Sequence, residues 1–168
     1  HGLLFTLMLL PFTLGFFRES YVYLYLLLSA SCLGYSIFLR YASSWIFPSA
    51  FFALYGFMAL SIALYGITGF PVVYLLLAVQ SLIVVSMALW FRNRLMIILN
   101  TLLFVFIYVL YMISSKPVDG VNFAFAAASL VSARIINWKR ERLNIKTELI
   151  RNTYLICGFI MVLFALFK

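Results

Sequence analysis

Acidic side chains are nearly missing from this 168-residue chain, which has four, and histidine occurs once. All four acids, Glu19, Asp119, Glu141 and Glu148, lie in or beside loop-like segments. Proton-coupled carriers keep an ionisable group within the membrane, and no apolar run here holds an acid at its centre. The lone histidine is His1, so an internal bis-His haem, a His-bearing metal site and a His-dependent acyl transfer have no residues to build on. No lysine sits mid-run, which excludes a retinal-type Schiff base. Neither H-E-x-x-H nor G-x-S-x-G occurs. The two cysteines, Cys32 and Cys157, form no C-x-x-C pair and read as small buried hydrophobes. The expectation is therefore no catalytic, cofactor-binding or metal-binding residues, and a protein that is not an enzyme.

What the chain has in abundance is hydrocarbon. Hydrophobic residues make up 67% of it and charged residues 10%, against roughly half and a quarter in soluble domains. A soluble fold of this size exposes so much of its surface that such a composition would leave it greasy throughout. A bilayer removes the difficulty, since a spanning helix needs about 20 mostly apolar residues. Seven runs fit: Gly2–Phe17, Tyr21–Leu39, Trp45–Ile67, Pro71–Phe91, Leu95–Ser114, Val118–Asn137 and Leu149–Phe167. Barrel strands would alternate over about ten residues, and these runs do not. The fold class expected is all-α, a polytopic transmembrane bundle of about seven helices with short loops. Residues 1–168 form one transmembrane domain. Because the chain starts at His1 and is already apolar there, it reads as a fragment or processed product of a longer membrane protein.

Turn chemistry marks the joints. Arg18-Glu19-Ser20, Thr68-Gly69-Phe70-Pro71, Arg92-Asn93-Arg94 and Ser114-Ser115-Lys116-Pro117 separate successive runs. Pro71 suits a helix start, Pro48 a first turn, and Pro11 a kink in the first run.

Counting basic residues in alternate joints sets the orientation. One side holds Arg40, Arg92, Arg94, Arg134, Lys139, Arg140, Arg142, Lys146 and Arg151, and the other holds Arg18, Lys116 and Lys168. The richer side is expected in the cytoplasm, with the N-terminus inside and the C-terminus outside. Trp45, Trp90 and Trp138 fall on the basic side. Tyr21, Tyr23, Tyr65, Tyr108 and Tyr111 fall near the other, as aromatic belts would. The net charge of +8 is loop charge sorted by leaflet and has no basic domain behind it, so nucleic acid is not an expected partner.

Residues 137–150 read as a basic amphipathic cytoplasmic connector. Trp138, Ile145 and Leu149 would share one helical face, with Lys139, Arg140 and Lys146 largely away from it and Arg142 adding charge. That arrangement suits contact with anionic lipid headgroups, although a solvated loop that only fixes topology fits the same residues. Gln80, Asn100 and Asn122 are candidate intramembrane polar contacts, joined by Thr101. Gln80 is expected to bond a neighbouring helix in preference to lining a path. Ala124, Ala128 and Ser132 recur at four-residue steps, a spacing that lets helices approach closely. They read as internal packing, ahead of a dimer interface. Ala59 with Ala63, and Ala30 with Gly34, suggest the same kind of contact. A faint repeat also runs through the chain. Ser29, Ser81 and Ser129 each precede an arginine, Arg40, Arg92 and Arg140, by eleven residues. Units of about fifty residues are the mark of stacked supersecondary elements, while any hairpin membrane protein places arginines at alternate loops.

Hairpins that close on Arg40, on Arg92-Asn93-Arg94 and on Arg140-Glu141-Arg142 resemble the multi-pass bacterial predicted membrane protein families built of tandem helix hairpins. More weakly they resemble the drug/metabolite transporter superfamily. The first resemblance implies a bacterial inner membrane and neighbouring helices of the same longer chain. The functions expected are a non-enzymatic scaffold or anchor, a transporter or flippase segment for an amphipathic or lipid-like substrate, or the membrane half of a sensor or enzyme.

Overall fold

The computed structural model describes residues 20–42, 46–114, 119–138 and 147–166. Among them are six α-helices and no strand: α1 (Tyr21–Ala42), α2 (Ile46–Thr68), α3 (Val72–Phe91), α4 (Arg94–Ser114), α5 (Asp119–Trp138) and α6 (Thr147–Leu166). The first expected run, Gly2–Phe17, lies outside the described residues. Each helix has 20 to 23 residues, so at 1.5 Å per residue each spans about 30–35 Å, the thickness of a bilayer core. All six contain a stretch long and apolar enough to cross a membrane. The chain is a multi-pass integral membrane protein. Within lipid a helix is the structure that satisfies every backbone group locally, and among the described residues prolines occur only at Pro48, in the first turn of α2, and at Pro71, ahead of α3.

Two turns show how tightly the hairpins are made. Between α2 and α3, Gly69 takes a left-handed conformation (φ 63°) and its N–H returns to the Tyr65 carbonyl at 3.1 Å. Between α3 and α4 the chain closes with Arg92 in the left-handed region (φ 53°). The Asn93 N–H reaches Ala88 at 3.0 Å and the Arg92 N–H reaches Leu89 at 3.3 Å. This is the Schellman pattern, with an arginine where glycine is usual. Asn93 then caps α4, its Oδ1 accepting the Met96 N–H at 3.1 Å.

Helix α3 lies at the centre and packs on α2, α4 and α5, while α1 pairs with α2, and α6 with α5 and more lightly with α4. The main core gathers residues of α2 to α6 around Val85, Ala88, Phe91, Ile97, Phe125 and Met161. A second, smaller core joins α1 to α2 through Tyr25, Ala59 and Ala63. Close approach in that hairpin depends on Gly56, where a Cβ would meet Leu33 Cγ at 2.9 Å. Between α5 and α6 it depends on Gly158, where a Cβ would meet the Ser129 Cβ at 3.1 Å. Ala59 and Ala63 are buried, as are Ala128 and Ser132, and Ala124 is half-buried. Ala30 and Gly34 are not packing residues. Both are exposed, and among the described residues nothing lies within 4 Å of a Cβ at Gly34. The face α1 turns to its partner is instead the one carrying Tyr25, Ser29, Leu33 and Ser36.

Candidate functional site

Polar side chains in the interior are few, and they fall between helices. In α3 the Gln80 amide donates to the Phe57 carbonyl of α2 at 2.8 Å and to Ser61 Oγ at 2.9 Å. Ser61 in turn donates to the same Phe57 carbonyl. Asn100 of α4 is the most connected. Its amide donates to Ser81 Oγ of α3 at 3.0 Å, to the Ser81 carbonyl at 3.3 Å, and to the Tyr154 hydroxyl of α6 at 3.0 Å. Asn122 of α5 accepts the Tyr111 hydroxyl of α4 at 2.6 Å. Thr101 turns back on its own helix, donating to the Ile97 carbonyl. At the edge of the set, Ser36 of α1 donates to the Ser49 carbonyl of α2 at 2.6 Å. Sequence reasoning passed over Ser36, because a lone serine in an apolar run carries no spacing signal.

Tyr108 and Tyr111 do not belong to the aromatic belt. They are 7% and 1% exposed. The Tyr111 hydroxyl finds its partner inside the bundle, and its ring stacks on Phe125 at 5.4 Å. It belongs to a continuous file of rings, Phe70, Tyr74, Tyr111, Phe125, Phe104 and Tyr154, with centroids 5.1 to 5.6 Å apart. The file runs from the Gly69 turn to the Asn100 cluster. Phe104, Tyr108 and Tyr111 share one face of α4 at four- and three-residue spacing, with Tyr108 beside the file, 6.1 Å from the Phe125 ring. Tyr23 and Tyr65, by contrast, are 75% and 51% exposed.

A second polar feature lies at the basic end. A groove of about 340 Å³ opens between α5 and α6, lined by Leu130, Ala133, Arg134, Asn137, Arg151 and Leu155. Arg151 Nη1 donates to Asn137 Oδ1 at 3.2 Å, and its Nε and Nη2 donate to Asn152 Oδ1 at 3.3 and 3.2 Å. Arg134 is exposed. Trp138 closes α5 beside the groove at 77% exposure, and Trp90 sits at the end of α3 at 39%, 5.9 Å from the Tyr41 ring. Trp45, Lys139, Arg140, Arg142 and Lys146 lie outside the described residues. Of the expected connector at 137–150, Asn137 and Trp138 complete α5, and residues 147–150 begin α6.

Ser29, Ser81 and Ser129, the serines of the faint repeat, are all buried, in α1, α3 and α5. Among the described residues no three of His, Cys, Asp and Glu come together. What the interior offers chemically is amides and hydroxyls, groups that orient and join helices and carry no charge near neutral pH. What the groove at the basic end offers is two guanidinium groups, of Arg134 and Arg151, beside hydrocarbon. No family model matches the chain, and no curated protein or solved structure matches it either.

Proposed function

We propose that this chain is a non-enzymatic scaffold or anchor segment of a multi-pass membrane protein. One observation carries the reading. Hydrogen bonds between side chains, or from side chain to carbonyl, join each of the six helices to the next along the chain. Ser36 bridges α1 to α2, Gln80 bridges α2 to α3, and Asn100 bridges α3 to α4 and α6. Asn122 bridges α4 to α5, and Arg151 bridges α5 to α6. Each interior amide makes at least one bond to a neighbouring helix, although Gln80 Oε1 and Asn122 Nδ2 are buried without a partner among the described residues, and such cross-links support a framework. The arginines gathered at one end support an orientation with that end in the cytoplasm, of the inner membrane in the bacterial reading. The basic groove favours a second reading, a transporter or flippase for a lipid-like substrate, because it places cationic groups beside an apolar wall at the membrane surface.

Reconstitution separates the two. Purified protein in liposomes is assayed for scrambling of a fluorescent phospholipid and for uptake of a panel of amphipathic solutes. The scaffold reading expects rates equal to those of protein-free vesicles. It is overturned by a flux that disappears in Gln80→Ala, Asn100→Ala or Asn122→Ala while folded protein is recovered at the same level.

A further inference from the structure

We propose that the groove between α5 and α6 binds the phosphate of an anionic phospholipid, with Arg134 and Arg151 as its cationic walls. The proposal stands independently of the scaffold reading. Arg151 is held in advance of any ligand. Three of its five N–H groups are committed to Asn137 and Asn152. One N–H remains on each terminal nitrogen, the paired arrangement that matches two oxygens of a phosphate. Arg134 lines the same groove and makes no hydrogen bond or ion pair among the described residues. Among the described residues no acid lines the groove. Glu148, one helical turn before Arg151, is exposed and forms no ion pair among the described residues. Among the described residues, therefore, two positive charges line one opening and no carboxylate lines it with them.

The other half of the lining identifies the ligand as a lipid rather than a free phosphate. Leu130, Ala133 and Leu155 form an apolar wall, and Leu130 and Leu155 are 43% and 40% exposed on the surface that lipid covers. Along α5, Leu130 precedes Arg134 by one turn and Arg134 precedes the exposed Trp138 by one more. This is the order acyl chain, phosphate, headgroup surface that a phospholipid itself presents. Arginines near a helix end extend toward the interface while their stems stay in hydrocarbon. The volume, about 340 Å³, is at the small end of ligand sites, roughly 300–1,000 Å³. That suits a headgroup phosphate and the first carbons beneath it.

The test uses the full chain in nanodiscs of phosphatidylcholine with a minority of phosphatidylglycerol, released for native mass spectrometry. The wild-type protein should retain phosphatidylglycerol in preference to phosphatidylcholine. Each basic residue near an anionic surface contributes enough for about a fivefold change in binding, so R134Q with R151Q should lower retention about 25-fold. R134Q alone, at an exposed position without hydrogen bonds to lose, should lower it about fivefold and keeps the test open if R151Q folds poorly. Arg92 is a basic residue at the same end but outside the groove, and R92Q should lower retention by less than R134Q does. Equal retention of the two lipids, or an R92Q effect as large as that of R134Q, would overturn the proposal. So would inorganic phosphate displacing phosphatidylglycerol at concentrations that leave bulk lipid charge unscreened.

Discussion

Gly34 and Gly56 make a matched pair, because alanine should move stability in opposite directions at the two sites. Both lie inside long helices of one hairpin, α1 and α2. In a helix interior alanine is favoured over glycine by about 0.8–1.0 kcal/mol, since glycine has more backbone freedom to lose. At Gly34 none of the described residues lies within 4 Å of the added methyl, so Gly34→Ala should stabilise the protein by up to about 1 kcal/mol. At Gly56 the same gain meets a wall. The new Cβ would stand 2.9 Å from Leu33 Cγ, 3.1 Å from its Cδ2 and 3.2 Å from its backbone nitrogen. Leu33 can turn its side chain away but not its nitrogen, so the helices must part by a few tenths of an ångström. Overpacking of this kind costs about 1–3 kcal/mol, which leaves Gly56→Ala destabilised by up to about 2 kcal/mol. The difference between the variants, about 1–3 kcal/mol, is the quantity to measure, by reversible unfolding of each in mixed detergent–SDS micelles. Equal stabilisation by both alanines would refute the close approach of α1 and α2 and the account of their packing.

Other outcomes follow from the hydrogen bonds and turns. A double-mutant cycle of Asn100→Ala with Tyr154→Phe should give a coupling of about 0.6 kcal/mol and no more than about 1.7, the range measured for interhelical bonds in bilayers; strict additivity in the same unfolding assay would show that the contact contributes nothing. Asn93→Ala removes the cap of α4 and should cost about 1 kcal/mol, visible as a lower midpoint of thermal unfolding. Arg92→Gly relieves a left-handed residue that costs about 1–2 kcal/mol, less about 0.4–1 for the freer unfolded chain, and should raise that midpoint; a fall would mean that the arginine side chain, not the turn, matters there. Single cysteines at Phe70 and Arg94, on a background lacking Cys32 and Cys157, should be labelled from opposite faces of the membrane, since α3 between them spans about 30 Å.

The helices were legible because lipid leaves the backbone little choice. Each of the six apolar runs among the described residues is a helix, and its ends fall within three residues of the run. The largest discrepancy is α1, which continues past Leu39 to Ala42. A charge at Arg40 need not end a helix, since its stem can stay beside hydrocarbon while its head reaches for water. What could not be read was which face of each helix points inward. In a soluble helix the polar face identifies the outside, but here the core and the lipid are equally apolar, so the usual amphipathic signal is absent. That is why the sequence pattern points Ala30 and Gly34 to packing, and Tyr108 and Tyr111 to the membrane surface, where the structure has the reverse. The amides were easier, since a polar group in hydrocarbon needs a partner, and Gln80, Asn100 and Asn122 are each bonded across a helix boundary. The groove was out of reach. Its two arginines are seventeen positions apart, and only the return of α6 against α5 brings them to one opening.

The direction of those amide bonds has a consequence for how the chain is made. Synthesis runs from the N-terminus and upstream segments settle first. Gln80 reaches back to Phe57 and Ser61, Asn100 to Ser81, and Asn122 to Tyr111. As each amide leaves the ribosome, a partner for it has already been synthesised. An unpaired amide in hydrocarbon costs several kcal/mol, and this order keeps that cost from accumulating while later helices are still being translated. Tyr154 then joins a pair that is already in place, so α6 docks onto a finished polar site.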